Sequence, residues 1–211
     1  MPKVSLPEFL AAVQAGELVS FPTDTVPALA ALPSAGDRIY HLKQRSLAKP
    51  LILMGATLGD LWPYVAGSEA ERSIWATLAE RYWPGALTLV LPASDRLPPA
   101  MNPTQTGTLG LRIPNHPLAR YVLDRTGPLA TTSVNSSGQP PLETLTAIGT
   151  EFPDLTLLSA AALAAIYDHL GQPVPPLDRP QGSGQPSTVV AWQGAGWRIL
   201  RQGAVMVEQE R

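Results

Sequence analysis

Two of the three lysines in this chain stand six residues apart in Lys43-Gln44-Arg45-Ser46-Leu47-Ala48-Lys49-Pro50, with an arginine between them. Three cations on one short turn offer two compact ammonium groups and a planar guanidinium fork, a donor set that can hold a polyphosphate. A solvated basic loop has the same composition, so the segment alone leaves both readings open. The apolar run Leu51–Met54 follows directly and reads as a buried strand. That strand would fix the basic turn at the end of a sheet, where α/β proteins bind ligands.

Other polar residues also gather where extended runs end. Thr23, Asp24 and Thr25 follow the strand-like Leu18–Phe21; they make either a pocket of hydroxyls or a proline turn bonded to its own backbone. Arg112 lies inside the apolar run Leu109–Ile113 and requires an anion. Either a structural carboxylate or a ligand carboxylate can supply it, and with few acids near it in sequence the ligand is the favoured reading. The run Thr131 to Gly138 carries the densest set of hydroxyls, including Ser133 and the amide of Asn135, and can present them to phosphates or a ribose. Ser187 and Thr188 open another strand, and Trp83-Pro84-Gly85 reads as a packing turn before one. No Walker A sequence, dinucleotide fingerprint, His-Glu-x-x-His or Gly-x-Ser-x-Gly occurs. His41, His116 and His169 are too scattered for a metal site and read as surface or cap residues.

The elements that must position these groups follow from periodicity and caps. Ser5 and Glu8 form a capping box for a helix closed by Gly16, and Ser68 with Glu71 forms a second one before a helix bearing Ile74, Leu78 and Tyr82 on one face. Ser34 is the expected cap of a helix through Ile39 and Leu42, a short helix starts at Thr57, and Asn115 is the expected cap of a helix through Leu118 and Val122. Strands are expected at Leu18–Phe21, Leu51–Met54, Leu87–Leu91, Leu109–Ile113 and Leu129–Val134, with a hairpin of Ser187–Trp192 and Trp197–Leu200. Strands alternating with helices predict an α/β fold, with mixed pairing because several connections are too short for crossovers.

The whole chain sets bounds. Its 211 residues fit one domain, expected over 1–211, and 45% apolar with 15% charged residues is a globular balance. A net charge of −2 argues against a protein that coats nucleic acid. There is no cysteine, no signal-like start and no apolar run long enough to span a bilayer, which predicts a soluble cytoplasmic protein without membrane contact. Proline, at 23 residues, mostly punctuates the elements, but it concentrates with glycine in residues 172–186.

In their order, Pro22-Thr23-Asp24-Thr25-Val26, Lys43-x-Arg45 with Lys49-Pro50-Leu51, Trp83-Pro84-Gly85-x-Leu87-Thr88, Leu111-Arg112-Ile113-Pro114-x-His116-Pro117, Thr132-Ser133-x-Asn135-x-Ser137-Gly138, Pro186-Ser187-Thr188-Val189-Val190 and Leu200-Arg201-x-Gly203 resemble the YrdC/Sua5 family over a core of about residues 15–205. The resemblance implies the single-domain form: a twisted mixed sheet with flanking helices around a large concave cavity. It implies an enzyme that joins L-threonine, bicarbonate or CO2, and ATP into threonylcarbamoyl-AMP and pyrophosphate, a nucleotidyltransferase serving the t6A modification of tRNA at position 37. Its partners would be the t6A transfer proteins, with weak tRNA contact. Mg2+ would arrive on the ATP, without a metal site built by the protein. Carried onto this chain, Lys43, Arg45 and Lys49 become the catalytic cations. Lys43 and Arg45, together with Ser133, Asn135 and Arg201, face ATP; Thr23, Thr25, Lys49, Arg112, Thr131 and Ser187 face threonine. Pro27-Ala28 stands where the family has an aromatic and a glycine, which removes an aromatic wall from the threonine pocket. The long stretch from Asp168 to Pro186 is either a lid or a surface insertion.

Overall fold

A computed structural model describes residues 3–208; residues 1–2 and 209–211 of the expected span lie outside it. In chain order the strands are β1 (Lys3–Val4), β2 (Val19–Phe21), β3 (Ala28–Ala31), β4 (Ile52–Met54), β5 (Leu87–Pro92), β6 (Thr108–Arg112), β7 (Leu129–Ser133), β8 (Leu157–Leu158), β9 (Thr188–Trp192) and β10 (Trp197–Arg201). The helices are α1 (Leu6–Gln14), α2 (Gly36–Lys43), α3 (Leu58–Leu61), α4 (Glu69–Tyr82), α5 (Pro117–Thr126), α6 (Leu145–Glu151) and α7 (Ala160–His169). Eight strands form one sheet in the order β10-β9-β5-β6-β4-β7-β3-β2, while β1 and β8 make a separate parallel pair. Pairings β4–β6 and β5–β9 are parallel and the others in the large sheet antiparallel. The mixed α/β sheet is the architecture expected from the alternation of elements.

Local chemistry explains most boundaries. Ser5 and Glu8, Thr57 and Asp60, and Ser68 and Glu71 each exchange side-chain and backbone hydrogen bonds, so three helices start at full capping boxes. Two expected caps are corrected. Ser34 sits inside a 3-10 turn, Pro33–Ala35, and α2 begins after it without a side-chain cap. The cap of α5 is His116, one residue past Asn115, whose Nδ1 accepts from the Ala119 amide. The buried face of α4 is also shifted: Trp75 and Ala79 are buried, whereas Ile74 is 45% exposed. Strand β3 was not expected at all. Its Ala28-Leu29-Ala30-Ala31 sequence has weak strand propensity, yet it is fully buried between β2 and β7.

Register decides where the site can lie. Met54 is opposite Arg112, Ile52 opposite Thr131, and Ala28 opposite Ser133. Residues directly opposite share a face, and residues two apart along a strand share it too. Ala28, Ile52, Met54, Arg112, Thr131 and Ser133 therefore lie on one face of the sheet. The polar residues expected at strand ends form a floor there, with the loops as its rim.

Candidate functional site

The loop leaving β2 is organised from within. Thr23 is fully buried; its hydroxyl donates to the Val26 carbonyl (2.7 Å) and accepts from the Thr25 amide (3.2 Å). With the Thr23 proton used, the Thr25 hydroxyl donates to Thr23 Oγ1 at 3.1 Å and keeps its own lone pairs outward. One of these accepts from Arg112 Nη1 at 2.7 Å. Thr25 lines the cavity, and Thr23 stands behind it as support.

Arg112 ends β6 with its side chain 4% exposed. Nη2 donates to Asp24 Oδ1 at 2.6 Å and Nε to the Gly85 carbonyl at 3.1 Å. The carboxylate that meets this arginine is thus Asp24, far away in sequence: of the two alternatives the structural carboxylate is the one found, and the lean toward a ligand is corrected. Burial lowers the guanidinium below its ordinary value, opposed by Asp24 and reinforced by the nearby charge of Arg201. Three of its five N–H groups are used, and the others remain for the cavity that Arg112 lines.

The basic turn divides its cations by direction. Lys43, in the last turn of α2, points inward and is 3% exposed. Its ammonium donates to the Ser133 carbonyl (2.5 Å), the Asn135 carbonyl (2.7 Å) and Asn135 Oδ1 (2.8 Å). Every proton of a buried ammonium needs an acceptor, and here all three serve the turn after β7. Lys43 therefore props that turn from beneath and does not line the cavity. Burial, with a smaller push from Arg45, brings it down to about 8. Gln44 takes a left-handed conformation (φ 48°) that turns the chain out of the helix. Arg45 then closes its own loop by donating to the Lys49 and Pro50 carbonyls (3.0 and 3.2 Å) and lines the cavity. Lys49 is exposed and outside the cavity wall.

The remaining wall comes from β7 and from the start of β9. Thr131 is buried and donates to the Ile52 carbonyl at 3.0 Å, tying the floor strands together. Ser133 Oγ donates to Asn135 Oδ1 at 2.6 Å, and Asn135 Nδ2 donates to the Ser136 and Gln139 carbonyls. Ser187 shares a 2.8 Å hydrogen bond with Thr88, and Arg201 Nη2 donates to the Ser187 carbonyl at 2.8 Å. The resulting cavity of about 300 Å3 gathers Thr25, Arg45, Arg112, Thr131, Ser133, Asn135, Ser187 and Arg201. Its apolar wall includes Pro27, Ala28, Ile52, Met54 and Pro141. Sequence reasoning had not assigned Ile52, Met54, Gln139 and Pro141 to the site, although the two-residue spacing of Ile52 and Met54 was a usable signal. Among the described residues no group of three or more His, Asp or Glu converges.

A larger cavity, about 640 Å3, lies on the other side of Asp24 beneath the Pro-rich segment, with His116, Tyr167 and Gln181 among its walls. The end of that segment is fastened to the site loop, unlike a free surface insertion: Ser183 and Gly184 amides donate to the Asp24 and Thr25 carbonyls, both at 3.0 Å. Gly182 packs so closely that a Cβ would strike the Thr23 and Thr25 carbonyls. His116 is held down to about 4 by burial, against the opposing pull of Asp24, so its imidazole is neutral at pH 7.

Residues 11–203 match the Sua5/YciO/YrdC family, described as telomere recombination. The chain is 39% identical over 137 residues to the threonylcarbamoyl-AMP synthase of Bacillus subtilis, a match covering 62% of this chain and 38% of that protein. It is 35% identical over 141 residues to the threonylcarbamoyl-AMP synthase of Vibrio parahaemolyticus, covering 65% of this chain and 75% of that protein. Among solved structures, P. abyssi Sua5 complexed with L-threonine superposes with a TM-score of 0.76 at 27% identity, over 93% of this chain and 53% of that one.

Proposed function

Because the chain belongs to the Sua5/YciO/YrdC family, we propose that it is an L-threonylcarbamoyladenylate synthase, a nucleotidyltransferase that makes threonylcarbamoyl-AMP and pyrophosphate from L-threonine, CO2 or bicarbonate, and ATP. One observation carries this reading. Three guanidinium groups, Arg45, Arg112 and Arg201, converge on a single cavity that also presents Thr25, Ser133 and Asn135.

In this reading threonine's carboxylate takes the N–H groups that Arg112 has left, and its hydroxyl lies among Thr25, Thr131 and Ser187. Arg45 and Arg201 face the triphosphate, with Ser133 and Asn135 between the two substrates. The neutral amine of threonine adds to CO2, loses a proton and becomes an N-carboxylate. That oxygen attacks the α-phosphorus in line; the bond to the β-phosphate oxygen breaks, and pyrophosphate leaves. Mg2+ enters as part of the ATP substrate and neutralises its phosphates. Two anions must meet, so the residues act by positioning and by compensating charge. The product would pass to the t6A transfer proteins that modify tRNA.

Pyrophosphate release by the purified protein, with threonine and bicarbonate each withheld in turn, tests the reading. Release that needs both, and falls away with serine or alanine, supports it. Release indifferent to threonine replaces it with transfer to another acceptor, and ATP binding without release leaves a binding module.

A further inference from the structure

The three arginines of the cavity differ in one respect. Arg112 has a carboxylate partner, Asp24, at 2.6 Å. Arg45 donates to the Lys49 and Pro50 carbonyls and Arg201 to the Ser187 carbonyl, and among the described residues neither is ion-paired. The neighbouring Lys43 is likewise bonded to two carbonyls and an amide oxygen. Positive charge is thus uncompensated at one part of the wall and compensated at the other. Among the described residues Arg112 is the cation ion-paired with Asp24, and His116 is not.

We propose that Asp24 is a specificity-determining residue that sorts the two substrates by net charge, reserving Arg112 for an amino-acid carboxylate and leaving polyphosphate to Arg45 and Arg201. The argument rests on the synthase reading for the identity of the substrates. A polyphosphate of several negative charges seeks uncompensated cations and is repelled by a carboxylate beside its binding group. A zwitterionic amino acid has no net charge, so an Arg–Asp pair repels it little, while the remaining guanidinium N–H groups still bind its carboxylate by directed hydrogen bonds. Without Asp24, three arginines in a cavity of about 300 Å3 would compete for the same phosphates, and the nucleotide would occupy the amino-acid pocket.

The test is calorimetric titration of inorganic tripolyphosphate and of L-threonine into the full chain and into Asp24→Asn. Asp24→Asn is expected to bind tripolyphosphate at least ~5-fold more tightly than the parent, a modest fraction of what one freed unit charge can supply. Saturating tripolyphosphate is expected to weaken its threonine binding by ~10-fold, against less than ~2-fold in the parent. Asp24→Glu, which keeps the charge, should behave as the parent. Unchanged tripolyphosphate affinity in a folded Asp24→Asn would overturn the proposal. If that variant does not fold, the uncharged pair Asp24→Asn/Arg112→Gln decides. It should keep tripolyphosphate affinity within ~2-fold while Arg45→Gln loses ~10-fold, and an equal loss in both overturns the sorting. Failure of the parent to bind threonine removes the synthase reading instead, and the tripolyphosphate comparison still judges the role of Asp24.

Discussion

Lys43 and Lys49 illustrate how two identical side chains on one turn take opposite roles once direction is fixed. Lys43 follows the buried Ile39 and Tyr40 by four and three residues, so it shares their inward helix face. Reading residue types placed it at a phosphate; reading helix phase would have placed it inside. Lys43→Met should destabilise the protein by about 2 kcal/mol or more, because it strips the donor from buried acceptors at Ser133 and Asn135. Lys49→Ala should stay within about 0.5 kcal/mol of the parent, as at other exposed positions. Denaturant titration of the two variants checks the contrast. His116 supplies the pH counterpart. Its folded value, held at about 4, lies below the unfolded one, so the unfolded chain binds more protons in the interval between them. The stability it contributes is therefore full above the unfolded value near 6.5 and is lost as pH falls toward 4, by up to about 3 kcal/mol. His116→Asn keeps a cap acceptor for the Ala119 amide without the charge change, and should flatten that part of the stability–pH curve.

At the scale of elements, the capping boxes and every strand of the large sheet except β3 were legible because their signals are local. Ser5 with Glu8 and Ser68 with Glu71 lie three residues apart and need no tertiary partner. Strand β3 was not legible, because its alanines become a strand only through the two neighbours that bury them. The same limit hid the partner of Arg112, since Asp24 is eighty-eight positions away and meets it only when β2 and β6 enter one sheet. The Pro-rich segment was visible in composition, but its attachment was not. Gly182 reveals that attachment: only a residue without Cβ can lie against the Thr23 and Thr25 carbonyls. Gly182→Ala should displace the segment from the site loop, lowering stability by about 1–3 kcal/mol. It should also speed proteolytic cleavage within residues 172–181, read by limited digestion and mass spectrometry. A variant cut no faster than the parent would show that the Ser183 and Gly184 hydrogen bonds hold the segment without Gly182.

At the scale of the whole molecule, the distribution of charge matters more than its sum. Fifteen Lys and Arg face seventeen Asp and Glu, yet Arg45, Arg112 and Arg201 are drawn into one cavity and Lys43 is buried beneath its rim. A protein arranged this way concentrates positive potential where a small polyphosphate can enter, while the Lys and Arg outside the cavity are outnumbered by the acids of a chain with net charge −2. Binding of tRNA should therefore be weak, and a plot of log affinity against log salt should have a slope no steeper than about −3, the value for roughly three phosphate contacts. Filter binding or fluorescence anisotropy across a salt series measures that slope. A slope beyond about −5 would require six or more contacts and a basic track across the outer surface. Nucleic acid would then be the main ligand, and the cavity arginines would be the inner end of an RNA-binding face. A slope within the expected range would instead support the proposed reading, in which small ligands enter the cavity formed by the sheet face and the three arginines, of which Arg112 is compensated by Asp24.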